Sequence, residues 1–258
     1  MQIHILASGS TGNATFIEMG GHKILIDAGI STRRIEQGLA AVGVKAGELD
    51  ALLITHEHTD HIRGLDVLVR RYQMPVYARP AAWEKIPCRD KLPDKCCREL
   101  GSVLEIGSME IEAFATSHDA ADPVGFSIRQ GRLKCVLATD LGEITPAVEK
   151  ALAYADTVIL EANHDPLMLQ EGPYPMYLKK RISGIRGHLS NQQAGEVLAR
   201  IPRSGVMQVF LAHLSQQNNH PRLALQTVSQ VLENRGYKLG EEVLLHRTYP
   251  NTTASMRG

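Results

Sequence analysis

Residues 49–61 run Leu-Asp-Ala-Leu-Leu-Ile-Thr-His-Glu-His-Thr-Asp-His, and the way this stretch divides decides the fold. Ala51, Leu52, Leu53 and Ile54 form an unbroken apolar run, the pattern of a short strand buried on both faces. The run stops at His56, His58, Asp60 and His61, which places all four in a loop at a strand end. Imidazoles and a carboxylate packed this densely repel one another on protonation and lose hydration when buried, unless a divalent cation compensates them. His56 and His58 lie two apart and can reach one ion from an extended segment. Asp60 and His61 lie past the turn and can face a second. The spacing predicts a two-metal layout rather than a solvated His-rich loop.

Outward from this motif, composition sets bounds. The 258 residues suffice for a sizeable core and predict one α/β domain over residues 1–258, with 251–258 as a frayed polar tail. Lys+Arg and Asp+Glu both total 28, so no global field attracts polyanions, and a nucleic-acid substrate would need a local basic patch. Arg70, Arg71, Lys179, Lys180 and Arg186 are the candidates for it. Cys88, Cys96, Cys97 and Cys135 are few, and Met-Gln-Ile-His begins no signal-type segment, which predicts a cytoplasmic protein with reduced thiols. No apolar stretch approaches the roughly eighteen residues of a membrane span. The charged stretch 84–99 holds three of the cysteines but lacks the C-x-x-C pairs of a zinc knuckle.

Along the chain, apolar strands repeatedly end in polar groups. A strand over 2–7 is followed by Ser8-Gly9-Ser10-Thr11-Gly12-Asn13, either a plain hairpin loop or an anion site in which backbone N–H groups, Ser8, Ser10 and Asn13 donate. The run Lys23 to Ile26 ends in Asp27, a possible cap for the helix beginning near Ser31. Alternation through Met109, Ile111, Ala113 and Ala115 delivers His118, and Leu133 to Leu137 leads to Asp140. Thr157 to Leu160 ends in Glu161, with Asn163 and His164 next, and Val206 to Leu211 ends near His213. Gly187 and His188 precede a helix near Asn191, so backbone donors, an imidazole and a positive helix end could converge on an anion there.

His-x-His-x-Asp-His after an apolar strand resembles the signature of the metallo-β-lactamase fold superfamily, and the resemblance extends across about residues 3 to 213. At Ser8 to Asn13, Glu161 to Asp165 and Gly187 to Asn191 the chain is similar to the YycJ/WalJ-type branch. The resemblance implies a four-layer αβ/βα sandwich, two mixed β-sheets flanked by helices. It implies His118 as third ligand beside His56 and His58, His213 completing the ion of Asp60 and His61, and Asp140 between the two. It makes Asp27 a brace behind the metal-ligand loop. The branch implies DNA 5′→3′ exonuclease-like activity. The segment between Asp140 and His213 has no room for the large inserted cap of the nucleic-acid-processing β-CASP members, which argues against long structured RNA substrates.

The expected cofactors are two divalent ions, zinc by donor chemistry, with manganese or iron as other occupants. Two ions a few ångströms apart bring a bridging water towards neutral pKa and neutralise charge on substrate oxygens, so the expected reaction is phosphodiester hydrolysis with hydroxide as nucleophile. Asp60 and Asp140 serve it as ligands, and His188, with Glu161 or His164, is the candidate to hold the phosphate or protonate the leaving oxygen. DNA is the expected substrate, with no membrane partner. A small or cyclic phosphodiester is the alternative, favoured by the neutral charge, and a non-enzymatic metal-binding regulatory module is the third possibility.

Overall fold

The computed structural model describes residues 1–257. Its first sheet is built from β1 (Gln2–Ala7), β2 (Ala14–Met19), β3 (His22–Ile26), β4 (Ala51–Leu53), β5 (Val76–Ala78), β6 (Cys97–Glu99) and, from the far end of the chain, β14 (Ala254–Arg257). The order is β14-β1-β2-β3-β4-β5-β6, antiparallel through β3 and parallel from β3 to β6. The tail expected to fray is therefore a paired edge strand: Ala254 sits opposite Ile5 and Met256 opposite Ile3. Its polar composition hid this, because the strand takes its order from pairing with β1 rather than from apolar content of its own. Gly258 lies outside the described residues.

The second sheet contains β7 (Val103–Ile106), β8 (Met109–Ala115), β9 (Val124–Gln130), β10 (Leu133–Ala138), β11 (Thr157–Glu161), β12 (Met207–Ala212) and β13 (Val243–Arg247), in the order β13-β12-β11-β10-β9-β8-β7. Strands β10 to β13 are parallel, and their register aligns Ala138 with Leu160 and Glu161 with Ala212. Residues following β10, β11 and β12 consequently emerge side by side. In α/β sheets the carboxyl ends of parallel strands are where ligands bind.

The chain divides into two compact units, residues 1–113, 120–124 and 250–257 in one, 114–119 and 125–249 in the other. In the first, α1 (Thr32–Ala41), α3 (Leu65–Tyr72) and α4 (Pro80–Lys85) pack Ile35, Leu39, Leu65, Leu68 and Trp83 into a core with Phe16, Leu25 and Leu52; the short α2 (Thr59–Ile62) carries Asp60 and His61. In the second, α5 (Pro146–Leu152), α8 (Asn191–Arg200) and α9 (Pro221–Asn234) pack Val148, Val197, Leu198 and Val228 with Val136, Leu160 and Val209. Helices α6 (Pro166–Glu171) and α7 (Met176–Ile182) complete it. Each such buried aliphatic side chain contributes roughly 1.5–3 kcal/mol. Among the described residues no helix is long and apolar enough to cross a membrane.

Candidate metal centre and active site

In the first unit, parallel strands β3 and β4 end beside each other and place Asp27 behind the His motif. Asp27 occupies the left-handed region, φ 61°, which turns its buried carboxylate back under the loop; a short polar side chain tolerates that conformation better than most. Its oxygens accept from Thr55 N at 2.9 Å, Thr55 Oγ1 at 2.9 Å and His61 Nδ1 at 2.7 Å. A carboxylate only accepts, so His61 carries its proton on Nδ1 and its lone pair on Nε2. The Thr55 hydroxyl spends its one proton on Asp27, so it accepts from His56 Nδ1, 3.0 Å away, and His56 also presents Nε2. Donor atoms of His56 lie within 4.8 Å of those of His58 and His61, and those of Asp60 within the same distance of His61.

The backbone holds this loop rigidly. Ala28 N donates to His61 O at 2.8 Å, Gly64 N to Ala28 O at 2.7 Å and Asn13 N to Asp60 O at 2.8 Å. A Cβ on Gly29 would stand 1.6 Å from the Asp60 carbonyl oxygen, so only glycine permits the approach.

In the second unit, β10, β11 and β12 deliver Asp140, Glu161 and His213. Asp140 (φ 58°) and His213 (φ 55°) are left-handed, as Asp27 is. Such residues cost about 1–3 kcal/mol each and persist where surrounding structure fixes them. Glu161, wholly buried, is that fixture. Its Oε1 accepts from His213 Nδ1 at 2.7 Å, His188 Nδ1 at 2.9 Å and Asp140 N at 3.2 Å, and its Oε2 from Leu141 N at 2.8 Å and Leu189 N at 3.0 Å. Burial alone would raise the Glu161 carboxyl, but the charges and hydrogen bonds of His188 and His213 together outweigh it and hold the group at about 2. His118 donates Nδ1–H to Gly187 O at 3.1 Å, and its Nε2 lies 3.7 Å from Asp140 Oδ1 and 3.4 Å from Asp119 Oδ1. Burial lowers the pKa of His118 from its ordinary value. A neutral imidazole lone pair facing two carboxylate oxygens is a repulsive arrangement that a bound cation relieves, so this donor set fits a divalent metal.

Several expected roles change. Asn13, expected to meet a phosphate, is turned inward: its Oδ1 accepts from Gly9 N at 3.0 Å and its Nδ2 donates to His61 Nε2 at 3.2 Å. Gly12 serves a close packing, since a Cβ there would lie 2.5 Å from Gly29 O. Of the remaining loop hydroxyls, Ser8 is buried and Ser10 exposed. The Gly187 and His188 N–H groups, expected to face an anion, are spent on Gly184 O and Ile182 O at 2.8 Å each. Only the His188 imidazole remains, its Nδ1 on Glu161 and its side chain one-fifth exposed. Glu161 has donor atoms within 4.8 Å of ligand atoms on Asp140, His188 and His213, yet both its oxygens are filled by N–H donors. Its hydrogen bonds position the imidazoles of His188 and His213. His164 is buried, outside the hydrogen-bonding circle of Glu161.

Sequence reasoning passed over Thr55, although its place between the strand and His56 marks it as the residue able to reach Asp27. It also passed over Asn219, and gave Asn163 no role of its own. Asn163 Nδ2 donates to His213 O at 2.8 Å, and Asn219 Nδ2 to Ala162 O at 2.8 Å, fixing the loops after β11 and β12.

A family model for the beta-lactamase superfamily domain matches residues 22–214. Over 253 residues the chain is 36% identical to the exodeoxyribonuclease YycJ of Bacillus anthracis, covering 97% of this chain and 96% of that protein. It is equally 36% identical, over 257 residues, to the exodeoxyribonuclease WalJ of Streptococcus pneumoniae, covering 98% and 96%. Among solved structures, the metallo-beta-lactamase fold protein YhfI from Bacillus subtilis superposes with a TM-score of 0.71 at 17% identity, over 99% of this chain and 98% of that one. The fold is thus the αβ/βα one expected, two mixed sheets flanked by helices. With strand-end imidazoles pinned by buried acceptors, and with a family model and near-full-length relatives in agreement, the chain belongs to the metallo-β-lactamase branch of the beta-lactamase superfamily.

Proposed function

We propose that this metal-dependent hydrolase cleaves DNA phosphodiesters as a 5′→3′ exonuclease, using two divalent cations. His56, His58 and His118 would hold one ion, Asp60, His61 and His213 the other, with Asp140 shared. The observation that carries the proposal is the common state of four imidazoles. His56, His61, His118 and His213 each have Nδ1 against a buried acceptor, respectively Thr55 Oγ1, Asp27 Oδ2, Gly187 O and Glu161 Oε1. Each therefore carries its lone pair on Nε2, where at His61 a cation would take the place of the Asn13 Nδ2 donor, and setting the ligand tautomer by a hydrogen bond on the other nitrogen is what metal sites require. Nitrogen and oxygen donors without thiolate suit zinc, and also manganese or iron.

When bound, such ions lower the pKa of water and neutralise charge on phosphate oxygens. The protein's own contributions are orientation and proton handling. Glu161 fixes the His188 ring through Nδ1, so that in the doubly protonated ring Nε2–H would hold a phosphate oxygen or pass a proton to the leaving oxygen. Relatives named exodeoxyribonucleases over nearly the whole chain support DNA as substrate. The experiment is to incubate metal-loaded protein with 5′-labelled single-stranded DNA and with bis-(p-nitrophenyl) phosphate. Release of labelled mononucleotide is expected. Turnover of the chromogenic ester with intact DNA would shift the substrate to a small phosphodiester, which the zero net charge favours. No turnover of either would leave only a metal-binding module.

A further inference from the structure

Residues 172–190 contain Lys179, Lys180, Arg181 and Arg186 and no Asp or Glu, in a chain whose charges otherwise balance. The same segment and the helix before it expose large apolar groups: Tyr177 is 75% exposed, and Leu167, Met176 and Ile185 are nearly as open. Between α6 and α7 lies a pocket of about 230 Å³ lined by His164, Leu169, Met176, Lys179, Lys180 and Ser183, among others. Met176, Lys179, Lys180 and Ser183 recur at helical spacing, so one face of α7 forms a wall. Two contacts keep that wall in place, Lys179 Nζ on Gln170 O at 2.6 Å and Arg181 on Asp119 at 2.6 Å.

Within this largely apolar lining, His164 is 3% exposed and its Nδ1 has no hydrogen-bond partner. A buried polar atom without a partner costs about 1–3 kcal/mol, which a ligand edge can recover. Burial holds His164 down to about 4, so the ring is neutral and able to pair with a neutral heterocycle. The volume falls below the roughly 300–1,000 Å³ of sites for drug-sized ligands. It suits one planar ring system.

We propose that α6 and α7 form a subsite for the end of a single-stranded polynucleotide, seating one unpaired nucleobase in the pocket against Met176 and Leu169 with its edge on His164, stacking the next base on Tyr177, and carrying phosphates on Lys180 and Arg186. Aromatic platforms interleaved with basic side chains bind single strands because every base offers a π-face and every linkage a charge. The turn after α7 then leads directly to His188, where His188 N donates to Ile182 O. The subsite is thus joined by a short turn to the segment that carries the imidazole Glu161 orients. The subsite rests on the nuclease proposal above.

The test uses the full-length, metal-loaded protein and a phosphorothioate-linked oligodeoxythymidylate carrying 5-iododeoxyuridine at its end. Photocrosslinking should place the terminal base on Met176 or Tyr177 by peptide mass spectrometry. Tyr177→Ala should weaken binding by about 5- to 100-fold. Lys180→Ala should reduce the salt slope by about 0.7. Both positions are exposed, so folding is checked simply by an unchanged thermal midpoint, and Lys238→Ala is the distant control. Wild-type protein that degrades single-stranded DNA, with neither variant altering affinity and with adducts elsewhere, overturns the subsite and leaves the nuclease proposal standing. Protein that hydrolyses bis-(p-nitrophenyl) phosphate but neither binds nor degrades DNA overturns both.

Discussion

Asp27 takes hydrogen bonds from Thr55 N, Thr55 Oγ1 and His61 Nδ1, all on one short loop. Glu161 takes them from His188, His213, Asp140 N, Leu141 N and Leu189 N, drawn from three separate stretches of chain. Both carboxylates are buried and both set the tautomers of imidazoles; Asp27 is itself in left-handed backbone, whereas Glu161 binds two residues that are, Asp140 and His213. They differ in reach. Asp27 braces a motif that its own sequence nearly completes, whereas Glu161 gathers loops that have no sequence relation to one another. A local brace should matter mainly for the cations it orients, and a gathering brace for the cations and for the fold together.

Removing Asp140, the proposed shared ligand, should have the largest effect. Asp140→Ala is expected to lower phosphodiester hydrolysis on the order of 1,000-fold or more, the equivalent of several kcal/mol of lost charge stabilisation. Steady-state assay of the chromogenic ester reads it, and activity within tenfold of wild type would contradict Asp140 as a ligand. Next comes the one imidazole of the Glu161 region that is part exposed and not assigned to an ion. His188→Gln should cost about 100-fold in kcat with metal content retained. Loss of metal in that variant would instead make His188 a ligand.

The direct contrast is Asp27→Asn against Glu161→Gln. Each should weaken metal binding by about 10- to 100-fold, because the amide can offer N–H where an acceptor is needed. Glu161→Gln should in addition depress the thermal midpoint well below that of Asp27→Asn, since its five partners span the unit. Equal midpoints would erase the distinction between the two braces.

How far the sequence foretold these two regions follows from their reach. His56, His58, Asp60 and His61 were readable because their ligand function is written in consecutive residues, and the apolar run before them marks the strand. His118, Asp140 and His213 could be found only as polar groups at strand ends, with the family pattern supplying their roles. Asn13 and Gly187 looked like anion-binding elements because Gly, Ser and Asn have the same composition whether their donors face a ligand or the loop itself; only the partners Gly9 N and Gly184 O decide. Strand β14 escaped notice because pairing with β1, not apolar alternation, creates it.

The smallest effect belongs to His164, which has no counterpart beside Asp27. Burial lowers it from 6.5 to about 4, so the unfolded chain takes up its proton first as pH falls. Above about pH 6.5 the buried neutral ring carries no proton-linked cost, and as pH falls towards about 4 a growing penalty destabilises the fold. Between pH 7 and 5 wild type should lose about 1–2 kcal/mol more than His164→Gln in urea unfolding. Parallel losses in the two proteins would show that the imidazole titrates normally.

Metal stoichiometry, measured by elemental analysis on the same samples assayed for phosphodiester hydrolysis, tests the two-cation centre most directly. Saturated protein should hold two divalent ions per chain, lose hydrolysis as a chelator removes them and regain it when zinc or manganese is restored. A single ion at saturation, or turnover that survives complete removal, would contradict it.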